Sequence, residues 1–433
     1  MNQQLSAFYD RYGAGNGVFY PGHASALVVL DGKKILFDPI VLSQPYDDAW
    51  VFYPPQIVDP RWYEVDVVVV SHIHQDHYDL KFLRLLGPQV RVLIVGQRPT
   101  FEQDIQAKAG RPVTILQPET VNEILPGVFF YAVNHESNGI DSSAIVYNDR
   151  FCVYHGNDNY LQPASMRKFT EVGPHINVAC IPYAYIHWYP FLMEYEADGL
   201  AHKEAERARL VNHYMDDCLN NIDILRPDVA IPFGANLLID DGNMRSEINL
   251  AVQTPVEFTN YARVTRPATG QRVRAMLAGD YCGIDADGSL AVTIARAYEA
   301  EEYRDAAQEF LAARPQKTAQ QDGPAVDLAH FIERLNGKLA GAGAPIDNVI
   351  RVDLDYRGGK VRIEIDCLSY RARLVDAFDD ARPYHHFKFD PVGSADWLNG
   401  KRFEEIIGMR RFTVKRVPDL YLPDLLRLLN TVI

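Results

Sequence analysis

Cysteine is scarce: the chain holds 5 in 433 residues, Cys152, Cys180, Cys218, Cys282 and Cys367, far apart and without a Cys-x-x-Cys pair. An odd, scattered set excludes a disulfide framework and points to a reducing compartment. Long apolar runs are also missing. Nowhere do about 18 apolar residues follow one another, the length a membrane-crossing helix needs. The opening stretch MNQQLSAFYDRYG has neither the basic cap nor the apolar segment of a secretion signal, so a cytoplasmic protein is expected. Positive charge is in deficit, with 43 Lys plus Arg against 57 Asp plus Glu, a net charge of −14, and no basic run. That balance excludes general binding to nucleic acid or anionic membranes. Internal repeats and low-complexity tracts are absent. What is left is a globular composition, 47% hydrophobic, 23% charged and 11% aromatic, of a length that predicts two or three domains.

Strand and helix patterns alternate through the first part of the chain. Ala26–Leu30 and Lys34–Phe37 flank Asp31-Gly32, a hairpin signal. The run Val65 to Val70 is a buried strand by its β-branched content, and it ends in polar Ser71-His72. Leu80–Leu86 and Phe101–Ala109 read as helices, and strands are predicted at 90–95, 128–133, 144–146, 151–154, 177–181 and 229–231. Lys203–Asn221 and Ala297–Ala313 have helical composition, and Gln316–Gly323 that of a linker. Beyond it, alternation at Val349–Asp355 and Lys360–Asp366 around Arg357-Gly358-Gly359 predicts a hairpin, with helices at Asp327–Leu339 and Leu420–Leu429. The expected organisation is a catalytic domain over 1–255, a helical connection and linker over 256–323, and a small α+β domain over 324–433.

The sharpest feature is Ser71-His72-Ile73-His74-Gln75-Asp76-His77, an H-x-H-x-D-H sequence at the exit of the apolar strand. Three imidazoles and a carboxylate in six positions are costly to bury without a positive partner. Neutral imidazole and carboxylate suit divalent zinc, iron or manganese. In an extended segment His72 and His74 point the same way, and Asp76 and His77 then turn toward a second ion. Two metals fed by one segment can polarise and activate a shared ligand.

With this signature at His72, His74, Asp76 and His77, the sequence resembles the metallo-β-lactamase superfamily. The resemblance implies an α/β fold, an αββα sandwich with a dinuclear site at one edge, over roughly residues 15 to 255. Gly22-His23-Ala24-Ser25 and Leu36-Phe37-Asp38-Pro39 resemble that family's opening hairpin and the Asp-containing turn beneath its metals, and are expected to support the site without ligating. A third histidine on a later strand end would be His135, with Glu136 as the alternative if the register slips by one. The bridging carboxylate would be Asp158, after Phe151–Tyr154. Hydrolases of the family finish the second metal with a histidine after a late strand, but here Val229–Pro232 runs into Phe233-Gly234-Ala235-Asn236. The second metal is therefore expected to lack one protein ligand, its place going to Glu136, His187 or solvent. The aromatic segment Ile181–Phe191 is expected to roof the pocket, with Tyr183, Tyr185 and Trp188, and Asn236 from the late loop, against substrate. Asp76 and His187 are the candidates for proton transfer.

A narrower resemblance rests on Pro232–Asn236, Tyr189-Pro190 and the late stretch from Trp397 through Phe403 to Tyr421. These are similar to the branch containing the catalytic region of CMP-N-acetylneuraminate hydroxylases, iron-dependent oxygenases distantly related to di-iron hydroxylases of antibiotic biosynthesis. Those sialic-acid enzymes carry a Rieske domain with paired Cys and His ligands, and this chain has no Cys-x-His and Cys-x-x-His pair. The resemblance implies an oxidoreductase, a monooxygenase that hydroxylates or N-oxidises a small substrate and draws electrons from a separate electron-transfer protein or from the substrate. It favours two iron ions. With zinc, or manganese, the same ligands would serve a hydrolase of an ester, lactone, amide or phosphodiester. In the C-terminal domain the adjacent His385 and His386 are expected on opposite faces of a strand, and Arg410, Arg411, Lys415 and Arg416 on a solvated face.

Overall fold

The computed structural model describes residues 2–96, 99–135, 141–241, 244–315, 325–340, 343–379 and 381–431. The predicted linker Gln316–Gly323 and Glu136 lie outside them. The chain forms two compact units, one of residues 1–186, 209–238 and 250–313, the other of 187–208, 239–249 and 314–433.

The first unit is built on two sheets. The larger runs in the order Leu290–Thr293, Tyr281–Ile284, Asn16–Gly22, Ser25–Leu30, Lys33–Phe37, Val67–Val70, Arg91–Val95, Thr114–Leu116. The smaller runs Val229–Phe233, Val178–Pro182, Cys152–His155, Ser142–Tyr147, Val128–Asn134, Asn122–Leu125. Side chains alternate across a strand, and both faces of the larger sheet are covered. Ala26, Val28, Leu30, Val67 and Val69 pack with Phe130, Val146, Val153 and Ile231 of the smaller sheet. Leu27, Val29, Val68 and Val70 pack on the opposite side with Phe8, Phe82 and Ile105 from the helices Gln3–Tyr12, Leu80–Leu85 and Pro99–Ala109. Burial on both faces is why these strands read as continuous apolar runs. Behind the smaller sheet, Phe169 of the helix Pro163–Val172 meets Tyr131 and Tyr154 edge-on, at 5.8 and 5.1 Å between ring centres. The layers are helix, sheet, sheet, helix, as expected.

The expected connection over 256–323 differs from what is found. Its first part, 256–313, belongs to the first unit, because Tyr281–Ile284 pairs antiparallel with Asn16–Gly22 through Gly17↔Gly283 and Phe19↔Tyr281. Likewise 187–208 and 239–249, expected within the catalytic domain, group with the C-terminal residues.

The second unit contains a five-stranded sheet in the order Arg371–Leu374, Gly359–Asp366, Val349–Tyr356, Tyr384–Phe389, Phe412–Val417. The predicted hairpin is its centre. Phe389, Trp397 and Phe403 interlock on one face, with ring centres 5.2 to 5.7 Å apart. His385 and His386 diverge as expected, the first to Asn348 and the second to Asp353. Among the described residues no helix is long and apolar enough to cross a membrane.

Candidate metal centre

The strand Val67–Val70 runs parallel between Lys33–Phe37 and Arg91–Val95 and is buried throughout. Its exit is fixed by Asp38, itself buried, whose carboxylate accepts the Ser71 N–H at 2.8 Å and the Ser71 hydroxyl at 2.5 Å. The chain then turns back on itself, the His77 N–H donating to the His74 carbonyl at 3.0 Å. Asp79 clamps the far side of the turn. It accepts the N–H groups of Val41, Leu42 and Ser43 and caps the helix Leu80–Leu85 through the Phe82 N–H. One loop thus carries four functional side chains and is tied at both ends by buried carboxylates.

Two groups of potential ligands converge there, His72, His74 and Asp158, and His23, Asp76 and His77. Within each, one donor atom per residue lies within 4.8 Å of the others. In the first, His72 Nε2 stands 2.7 Å from His74 Nδ1. In the second, Asp76 Oδ2 is 2.9 Å from His23 Nε2 and 3.5 Å from His77 Nε2. Asp158 Oδ2 is 3.3 Å from His77 Nε2, so this carboxylate joins the two groups.

The residues fit divalent cations. His77 Nε2 is buried with no hydrogen-bond partner, facing Asp76 and Asp158. Its ring is oriented from behind, Nδ1 donating to Asp38 Oδ2 at 2.9 Å. Burial alone would lower the basicity of His77, but Asp158 and Asp76 outweigh it and hold the imidazole well above its ordinary range. Two carboxylates facing a buried, unpartnered imidazole nitrogen make a pocket suited to positive charge. Burial raises the Asp158 carboxyl and the His77 charge opposes it, leaving it at about 2. His72 goes the other way: burial, then the neighbouring His77 charge, press it down to about 4, so it stands neutral with one ring nitrogen unprotonated. The same two causes, burial and a neighbouring imidazole, lower His74.

The expected ligands His72, His74, Asp76, His77 and Asp158 are therefore brought together. His135 is in neither group; its N–H donates to the Asp141 carbonyl at 2.9 Å. Tyr183, expected against substrate, is instead fully buried, its hydroxyl donating to the Gln253 carbonyl at 2.7 Å and its ring packed 5.0 Å from Phe258. Tyr185 is buried against Tyr214, which also meets Tyr160 edge-on. Asn236 is buried, and both polar atoms of its side chain lack a hydrogen-bond partner. His187 and Trp188 belong to the second unit, stacked on each other at 5.2 Å.

Two contributors were not expected as such. His23, read as a supporting turn residue, falls in the second group with Asp76 and His77. Asp141, which the sequence did not single out, is buried with Oδ1 3.0 Å from His72 Nδ1 and 3.3 Å from the Asn157 amide. A carboxylate beside Nδ1 favours the tautomer that carries the proton there and leaves Nε2 unprotonated. His155 belongs to the core: its Nε2 bonds the Ala24 carbonyl at 3.1 Å and its ring stacks on Phe37 at 4.5 Å.

Residues 18–183 match the model of the beta-lactamase superfamily domain. This region belongs to that superfamily. A Mycolicibacterium smegmatis protein named for a Rieske 2Fe-2S iron–sulfur centre is 26% identical over 209 residues, which cover 46% of this chain and 39% of that protein. A metal-dependent hydrolase of Thermococcus kodakarensis is 26% identical over 180 residues, 38% of this chain and 70% of that one. Among solved structures, a diiron β-hydroxylase of Streptomyces venezuelae, CmlA, superposes with a TM-score of 0.43 at 14% identity, over 63% of this chain and 55% of its own. The chain thus spans about two-fifths of the length of its Rieske-named relatives.

Proposed function

We propose that the chain is a dinuclear metal-dependent oxygenase of the superfamily, using two iron ions to hydroxylate or N-oxidise a small substrate. The observation that carries the metal centre is the pair of convergent ligand groups joined by Asp158. His72, His74 and Asp158 would hold one ion, Asp76 and His77 the other, with Asp158 between. When bound, two iron ions supply Lewis acidity and redox chemistry; two zinc ions would supply Lewis acidity alone.

The chain's own residues do the rest. Asp38 holds the His77 ring with Nδ1 turned outward and Nε2 inward, and Asp141 places a carboxylate 3.0 Å from His72 Nδ1. The unpartnered Asn236 amide offers both a donor and an acceptor for a substrate polar group. Asp76, kept well below the usual carboxylate range by His77 and His23 against the opposing effect of burial, is a carboxylate and not a proton donor at neutral pH.

Redox chemistry is favoured over hydrolysis by the Rieske-named relatives. This chain has no Cys-x-His and Cys-x-x-His pair, so the stretch it shares with them is not the iron–sulfur site itself. In the oxygenase reading the electrons would come from a separate protein or from the substrate. Hydroxylation places one oxygen atom of dioxygen in the substrate and releases the other as water, taking two electrons and two protons. The hydrolase reading is kept by the archaeal relative. The test is anaerobic purification, metal analysis, and oxygen uptake with reduced ferredoxin. Two irons per chain and reductant-dependent oxygen uptake are expected. Two zincs, no iron and esterase or lactonase activity would overturn the oxygenase reading.

A further inference from the structure

We infer that His23 is a protein ligand of the second metal, standing in for the histidine that the late strand does not supply. The inference rests on the dinuclear reading and names a member of the site outside the H-x-H-x-D-H loop. His23 sits in the turn between the strands Asn16–Gly22 and Ser25–Leu30, with φ of +46°, a conformation that non-glycine residues adopt rarely and at a cost. Its ring is 1% exposed, flanked by Phe52 at 4.9 Å and by His77, edge-on, at 5.6 Å.

The late strand Val229–Phe233 ends beside this turn. The Gly234 N–H donates to the His23 carbonyl at 3.3 Å, and a Cβ placed on Gly234 would lie 3.5 Å from Asp158 Oδ1. Gly234 has φ of +80°. The chain therefore passes the metal centre at this point without a side chain, and the imidazole reaching the centre from that side belongs to His23. Donor spacing brackets the range that shared coordination requires, each value within about 0.1 Å of it. Two ligands at about 2.1 Å from one ion stand roughly 3.0 to 3.4 Å apart in octahedral or tetrahedral arrangement. The second group shows 2.9 Å for His23–Asp76 and 3.5 Å for Asp76–His77.

The competing role is a hydrogen bond from His23 to Asp76 with no metal contact. His23→Gln separates the two, because an amide N–H can serve Asp76 but is a poor ligand. The full-length protein, stripped and reloaded with Co(II), would be assayed for metal per chain, cobalt absorption and affinity in chelator competition, with circular dichroism to confirm folding. Wild type is expected to bind two ions. His23→Ala and His23→Gln are each expected to keep the first and to weaken the second by more than the ~10–100-fold that loss of an orienting neighbour brings. Two ions at wild-type affinity in His23→Gln would overturn the inference and leave the dinuclear reading standing. Wild type that binds fewer than two would overturn the reading itself.

Discussion

Asp141 offers a quantitative test of how the first metal group is held. Its carboxylate is buried, with Oδ1 3.0 Å from His72 Nδ1 and accepting from the Asn157 amide at 3.3 Å. His72 Nε2 meanwhile faces His74 Nδ1 at 2.7 Å. For His72 to give a lone pair at Nε2, the ring proton has to sit on Nδ1, where the negative charge of Asp141, 3.0 Å away, favours it. Replacing Asp141 by Asn presents a neutral amide whose NH2 competes for the same nitrogen; replacing it by Ala leaves the Asn157 amide, 3.1 Å away, and Ser71 Oγ, 3.2 Å away, beside it, neither of them a charged acceptor. Loss of such an orienting carboxylate weakens metal binding about 10–100-fold, or about 1.4 to 2.7 kcal/mol. The effect is confined to one ion, because the second group is oriented by Asp38. Competition between the protein and a coloured chelator for Co(II), read as two separate affinities, measures it. If Asp141→Asn and Asp141→Ala both retain wild-type affinity for both ions, the tautomer argument is wrong.

Three other consequences are open to measurement. Gly156 precedes Asn157 and Asp158, and a Cβ there would lie 2.7 Å from Pro182 Cδ and 2.8 Å from the Cys180 carbonyl. Gly156→Ala is therefore expected to displace Asp158 and cut metal content while far-ultraviolet circular dichroism stays near wild type; undiminished metal content would refute it. Burial depresses the core histidine His155 to about 4, whereas an unfolded histidine titrates near 6.5. Between those values the unfolded chain binds the extra proton, so the metal-free protein should lose about 3 kcal/mol as pH falls from 6.5 to 4 through this group. His155→Phe should flatten that slope in urea titrations, and an unchanged slope would count against the assignment. The pair Phe37 and Phe130, stacked at 6.4 Å between the sheets, belongs to the shared core. Phe130→Ala should cost about 3–5 kcal/mol in chemical denaturation, and a loss under 1 kcal/mol would contradict the packing described.

The metal loop was legible in the sequence because an apolar strand with burial on both faces cannot end in three histidines and an aspartate without a purpose for them. Asp158 was expected from the family resemblance, as the carboxylate after the strand Cys152–His155 of the smaller sheet. His23 was not legible. It lies 49 residues before His72 in a hairpin turn, where Gly-His-Ala-Ser reads as turn chemistry, and only the pairing of Asn16–Gly22 with Ser25–Leu30 carries it to Asp76. Asp141 sits in a polar loop with no periodicity to mark it. The extent of the first unit was missed although a signal existed: Asp287-Gly288 lies between Tyr281–Ile284 and Leu290–Thr293, the same turn pair that marked the first hairpin. The grouping of 187–208 and 239–249 with the C-terminal residues is a long-range contact that local patterns do not encode.

The central claim is that two metal ions share Asp158. The measurement that addresses it is the number and affinity of ions bound by wild type and by Asp158→Ala, using the anaerobically purified full-length protein. Two ions per chain in wild type, and both weakened together in Asp158→Ala, are expected. One ion or fewer in wild type, or an Asp158→Ala protein that loses one ion while holding the other at wild-type affinity, would contradict it.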